Sequence, residues 1–297
     1  MVKYALKLRD VSAVAASNTV IIDLPIGPRY HYINLQHGYS AGTNTIAAAY
    51  TNISNIRVKV NNKVQRNYAA DSARSGGVIL RDQNLLNGTG YDTPVATTPE
   101  VPNTAPGVTI PIYFAEPWRK NPRDQDALAW STAGWKSFQL EIDLAAAATP
   151  TLVASAVVDD LVVENPQILK VFRQGITAAG TSFDTGIVDR RDFLEQISLY
   201  PDTGASQPAT IVTLRKNGDI LRELSRAANR ALNLNSGMVP EATGRTAAIY
   251  DIVLDHDDLL GSSVPLEDVR TMTLTIESAS AMSGTISGII SRFGRPE

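Results

Sequence analysis

The 297-residue chain contains no cysteine. Disulfide frameworks, thiolate metal sites and cysteine nucleophiles are therefore excluded. Stability must come from the core, and a chain of this length can bury roughly 75% of its unfolded surface. An excess of one charge is also missing. The 27 basic residues stand against 30 acidic ones, a formal net charge of -3, so the chain as a whole lacks the electrostatic footprint of a nucleic-acid binder. Long apolar runs are scarce. Lys3, Lys7 and Arg9 interrupt the N-terminal apolar residues, so no signal-peptide core can be drawn there and no secretory export is expected. The least polar tract, Leu144 to Val158, is too short and too broken by threonine and proline for the ~20 residues of a membrane helix. The chain also has no Walker glycine loop, no GxSxG elbow and no HExxH pair.

What remains is rich in uncharged polar residues and in short strand patterns. In "NTVIIDLPIGPRYHYINLQ", Val20, Ile22 and Leu24 share one face and Thr19, Ile21 and Asp23 the other, the period of a half-buried strand. Pro25 ends its ladder. Gly27 can take positive φ and Pro28 fixes its own, so "PIGP" reads as a rigid corner from which "RYHYINLQ" leaves as a second strand. In "ISNIRVKVNNKVQRNY", Ile56, Val58 and Val60 alternate with Arg57, Lys59 and Asn61, and Asn61-Asn62 suit a tight hairpin. A short helix is expected after it, within Tyr68 to Gly76.

The second half repeats this order. Ile211 to Leu214 lead into Asn217-Gly218, a strong hairpin signal. Ile220, Leu221, Leu224, Ala228, Ala231 and Leu232 then form a helical stripe, with Gly237 as its stop. "GVTIPIYF" and "TAAIYDIVL" are strands followed by polar, acidic loops, and "SFQLEIDL" and "VRTMTLTIES" are the last strands of their halves. The pattern implies an internal duplication. Each half has many short strands, which points to an all-β double jelly roll: two eight-stranded β-sandwich domains with one or two short helices. The expected boundaries are 1–147 and 169–297, joined by a small-residue crossing segment over 148–168. The tract Asn87 to Gly107 carries four prolines and no apolar period, and is expected to be an exposed loop.

Candidate chemistry is sparse. His31 and His37 lie in or near a strand without acidic sequence neighbours and read as structural. Asp255, Asp257 and Asp258, with His256 between them, form the best metal candidate because hard cations favour clustered oxygens. They lack the glycine and bidentate glutamate of an EF-hand, so a solvated turn is the competing reading. Asp124/Asp126 and Asp159/Asp160 could serve as paired glycosidase acids, yet "NPRDQDALAW" reads equally as a helix N-cap with acids in its first turn. "VDRRDF", Val188 to Phe193, reads as a surface ion-pair cluster or subunit contact. No catalytic residue is expected, and no cofactor is required.

The stretches "NTVIIDLPIG", "ISNIRVKVNNK", "SFQLEIDLAAAATP", "DILRELSRAAN" and "LEDVRTMTLTIES" together resemble the double jelly-roll major capsid protein of the corticoviruses, icosahedral bacteriophages with an internal membrane. The segments "QHGYSAGTNTIAAAY" and "NGTGYDTPVATTPEVPNTAPG" are longer than that family's pattern. The resemblance implies a structural protein that assembles as pseudo-hexagonal homotrimers, with structural Ca²⁺ in some members. Its implied partners are other copies of itself, a vertex or penton protein, and viral membrane proteins beneath the shell, without specific nucleic acid. Assembly in the host cytoplasm and residence in the virion follow from the same resemblance. The alternative is a carbohydrate- or receptor-binding β-sandwich of a phage appendage, which would display aromatics such as Trp118, Trp130 and Trp135 on a groove. A glycoside hydrolase would need two converging carboxylates in a cleft.

Overall fold

A computed structural model describes residues 2–9, 11–38, 52–69, 108–117, 119, 121–146, 149–187, 191–201, 209–235, 250–254 and 260–296. The loop Asn87 to Gly107, the expected helix beyond Ala69, Trp118, His256 and the aspartates 255, 257 and 258 lie outside these residues. The chain forms two units, residues 1–83, 93–171 and 295–297 in the first, and 84–92 and 172–294 in the second.

The first unit contains β1 (Tyr4–Leu8), β2 (Thr19–Asp23), β3 (Arg29–Gly38), β4 (Ile53–Val60), β5 (Lys63–Ala69), β6 (Val108–Tyr113), the helix α1 (Pro122–Gln125), β7 (Trp130–Ser131), β8 (Phe138–Leu144) and β9 (Thr151–Asp159). One sheet runs β1-β9-β3-β6, with β7 also on β3, and the other runs β5-β4-β8-β2. The two sheets face each other through Tyr30 of β3 and Phe138 of β8, whose rings meet edge to face at 5.1 Å. Alternation places Val20, Ile22, Ile56, Val58, Val60, Leu140 and Ile142 in the core between them. At the "PIGP" corner Gly27 adopts φ 118 and donates its N–H to Thr132 Oγ1 at 2.8 Å. The tract expected to be a crossing segment holds a real strand. Leu152, Ala154, Ala156 and Val158 alternate inward, and β9 is paired on both edges, by β1 and β3. Small size hid this strand, because alanine carries little β-propensity of its own.

The second unit contains most of β10 (Ile168–Gly186), whose residues 168–171 count with the first unit, then β11 (Phe193–Pro201), β12 (Ala209–Lys216), β13 (Asp219–Ser225), the helix α2 (Arg226–Asn235), β14 (Tyr250–Val253), β15 (Val264–Pro265) and β16 (Met272–Gly294). One sheet runs β13-β12-β16-β10, and β11 gathers β14, β15 and the C-terminal half of β16. Gly284, at φ 94, lies between the stretch of β16 that pairs with β12 and the stretch that pairs with β11. The expected helical stripe from Ile220 is corrected: residues 219–225 form a strand, and the helix begins at Arg226. The Asn217-Gly218 turn returns the chain beside β12, and the ladder it starts satisfies the backbone before a helix can.

The duplication extends to individual hydrogen bonds. Asn61 and Asn217 open the two hairpins with φ 51 and 52. Asn61 Oδ1 accepts from the N–H groups of Lys136 and Ser137 at 2.7 and 3.3 Å, just before β8. Asn217 Oδ1 accepts from those of Arg270 and Thr271 at 2.7 and 3.1 Å, just before β16. Ser54 Oγ donates to Asp143 O, and Thr210 Oγ1 to Glu277 O, both at 3.1 Å. Each hairpin has its irregularity at the matching position, Val58/Lys59 in one and Leu214/Arg215 in the other. So do β3 and β11, at Tyr30/Tyr32 and Leu194/Gln196. β5 thus corresponds to β13, and Arg66 to Arg222.

Candidate functional site

The expected chemistry resolves into structure. His31 does have acidic neighbours, supplied by the fold rather than by the sequence. Its Nε2 lies 2.7 Å from Asp159 Oδ2 and its Nδ1 3.1 Å from Asp126 Oδ1. Arg29 donates to the same Asp159 carboxylate through Nε and Nη2 at 3.1 and 2.6 Å. Burial pushes that carboxyl up, and hydrogen bonds from Arg29, His31 and the Leu161 N–H outweigh it, holding Asp159 at about 2. Asp126 also receives Lys3 Nζ at 2.8 Å, and Asp160 receives the Tyr4 hydroxyl at 2.6 Å, so both tie the N-terminal strand to the unit. Asp124 lies in the first turn of α1, whose N-cap Asn121 accepts from the Arg123 N–H at 3.1 Å. The paired acids are thus engaged in holding the fold. Among the described residues no group of three or more His, Asp or Glu side chains could hold a metal ion.

Trp130 is fully buried and Trp135 half-buried, in a cluster with Phe114 and Phe138. Arg66 lies under this cluster, its guanidinium 5.0 Å from the Trp130 ring and 5.2 Å from the Phe114 ring. Its Nη1 donates to Tyr113 O and to the Tyr68 hydroxyl, and its Nε donates to Leu169 O at 2.6 Å. Leu169 belongs to the opening of β10, which pairs parallel to β5 through Val171 and Arg66 and covers that edge.

Arg222 repeats part of this arrangement. Its Nη1 donates to Val253 O, the counterpart of Tyr113 O, and its Nη2 donates to Asn229 Oδ1 of α2 at 2.7 Å. Burial pushes its guanidinium down. Asn229 and Asn233 both donate to Asp251 O, at 2.7 and 3.1 Å, which seats α2. Leu224, Leu254 and Val264 stand where the first unit has Tyr68, Phe114 and Trp130, and with Leu221 and Leu232 they line a cavity of about 400 Å³. No described strand pairs with the outer edge of β13.

Among the described residues the distinctive surfaces are strand edges. Residues 5–73 and 101–159 match the family model of the viral coat protein P2 N-terminal domain. Over these residues the first unit is similar to that domain. The fold of the whole chain agrees. The major capsid protein P2 of bacteriophage PM2 superposes with a TM-score of 0.73 at 20% identity, covering 99% of this chain and 98% of that one. The major capsid protein of STIV gives 0.66 at 12% identity, covering 100% and 98%. The capsid protein of PBCV-1 gives 0.61 at 10% identity, covering 98% and 93%. A sequence comparison with curated proteins finds no match. The chain thus has the double jelly-roll fold of these capsid proteins.

Sequence reasoning missed Arg66 and Arg222. The signal was present, since each arginine stands at the same distance after the first asparagine of its hairpin. A lone arginine in a strand gives no indication of which carbonyl it will reach.

Proposed function

We propose that this chain is a viral coat protein, the major structural subunit of an icosahedral shell, and that it assembles as a homotrimer of pseudo-hexagonal outline around an internal lipid membrane. The observation that carries the reading is the hydrogen-bond-level duplication within one chain. Three copies around a threefold axis supply six nearly equivalent barrels, and such a block tiles a facet. Closed rotational symmetry also shields edge strands that a monomer would expose. The small net charge of -3 suits close packing of many copies. The subunit works without catalysis or a required cofactor. Its partners are neighbouring copies, a vertex protein and membrane proteins beneath the shell. Asp255, Asp257 and Asp258 are the residues to test for structural Ca²⁺. Light scattering coupled to size exclusion tests the reading: a trimer of the 32.0 kDa chain has a mass of about 96 kDa, and a stable monomer at micromolar concentration with calcium present would overturn it.

A further inference from the structure

The two units differ at one equivalent edge. In the first, β5 is covered by Ile168–Val171, and Gln65 at that edge is fully buried. In the second, the outer edge of β13 has no described partner, and Leu221, the counterpart of Gln65, is 40% exposed beside Ile220 at 53%. Large apolar side chains on an open strand edge invite pairing with another chain.

The arginines show the same difference. Arg66 Nε donates to Leu169 O of the covering segment, whereas Arg222 Nε is buried without a hydrogen-bond partner. A buried guanidinium N–H left unmade is costly. Among the described residues the second unit thus has neither a strand on this edge nor an acceptor for this Nε, where the first has each.

The missing segment can be found in the chain itself. Leu24 N–H donates to Phe138 O and Ile187 N–H to Met272 O, each at 2.9 Å, which makes Leu24 and Ile187 equivalent. Counting back equally from each places Ala5-Leu6-Lys7-Leu8 against Ile168-Leu169-Lys170-Val171, two segments with the same leucine and lysine. The first of these is β1. It is a terminal strand of its sheet, paired with β9 on one edge, and Tyr4, Ala5 and Lys7 are exposed. Its charge complements the vacant edge, because Lys7 and Arg9 are basic while Asp219 and Glu223 of β13 are acidic and exposed.

We propose that in the assembled coat β1 of a neighbouring copy of this chain pairs in parallel with the free edge of β13, and that Arg222 Nε donates to the Leu6 carbonyl of that copy. The inference rests on the self-assembly reading above and names the surfaces that meet. The register of β5 carries over, so Leu8 lies opposite Arg222, Lys7 opposite Leu221 and Arg9 opposite Glu223.

The chain has no cysteine, so a Lys7→Cys, Leu221→Cys double variant carries one reporter pair at two exposed positions. Mild oxidation of the assembled protein and non-reducing electrophoresis are expected to give covalent dimers and trimers, while each single variant runs as a monomer. Light scattering on the same sample separates the two readings. A trimer that does not cross-link, or a link formed within one chain, overturns the β1–β13 contact and leaves trimer assembly standing; a monomer overturns both. A second arm needs no cysteine. Arg9→Glu is expected to weaken assembly about fivefold, and adding Glu223→Lys to restore it. Failure of the second substitution to restore assembly overturns the assigned register.

Discussion

Arg29 and Asp159 face each other across β3 and β9 as a two-pronged ion pair, and at the same register of the second unit Phe193 and Phe293 stack with centroids 5.0 Å apart and planes 6° from parallel. One backbone position thus carries a charge pair in one unit and an apolar pair in the other. The charged version makes its unit sensitive to acid. Asp159 is held at about 2, below its ordinary 3.8, so its contribution is complete above the unfolded value and is lost as pH falls through about 2. Acid titration of the wild type is expected to show this loss, and Asp159→Asn to remove it at a cost of about 3–5 kcal/mol, because the buried Arg29 loses its carboxylate partner. Chemical denaturation at pH 7 and pH 3 measures both.

The hairpin of the second unit should tolerate little change. Gly218 adopts φ 94, which a β-branched residue resists, so Gly218→Val is expected to cost about 1–2 kcal/mol or more. Asn217→Ala loses the acceptor for the N–H groups of Arg270 and Thr271 and leaves alanine in a left-handed conformation, with a loss of about 1–3 kcal/mol. Thermal unfolding is the measurement. An unchanged melting temperature for either variant would refute the clamp.

Trp130 fills the core above Arg66 and touches Phe114 and Phe138 at 4.6 and 5.6 Å. Trp130→Ala is expected to cost about 3–5 kcal/mol. The corresponding position in the second unit is Val264, where Val264→Ala removes far less buried surface and should cost about 1 kcal/mol. Denaturant midpoints of the two variants compare them directly.

Gly294 passes close to Asp192. A Cβ there would lie 2.6 Å from the Asp192 Cβ and 2.1 Å from its Oδ1. The carboxylate could swing aside, but the Cβ cannot, and Asp192 already holds φ 69. Gly294→Ala is expected to destabilise by about 1–3 kcal/mol, read from the melting temperature. Gly261→Ala provides the comparison, since nothing lies within 4 Å of a Cβ at that position.

Local signals in the sequence carried the strands and turns. Alternation in "TVIIDL" and "IRVKV", the asparagine hairpins and the "PIGP" corner are set by side-chain period and by allowed φ, which depend on neighbours along the chain. The order of these signals was enough to read a duplicated all-β fold. Where the local signal was weak or mixed, pairing decided. β9 is built from small residues and is a strand because β1 and β3 hold it on both edges. Ile220 to Leu224 fit a helical period and form a strand because β12 lies beside them.

The polar ties were not legible at all. Asp159 is far from Arg29 and His31 in the chain, and nothing in its neighbours says that it will be buried against them. Leu169 and Leu6 occupy matching places in tetrads that share their leucine and lysine, yet one covers a strand edge within its own chain and the other lies on an edge that no described strand pairs with. Sequence determined the elements, because strand and turn preferences act over a few residues. Only the tertiary structure decided which edge was closed and which buried donor was left over, because those depend on groups brought together from distant parts of the chain.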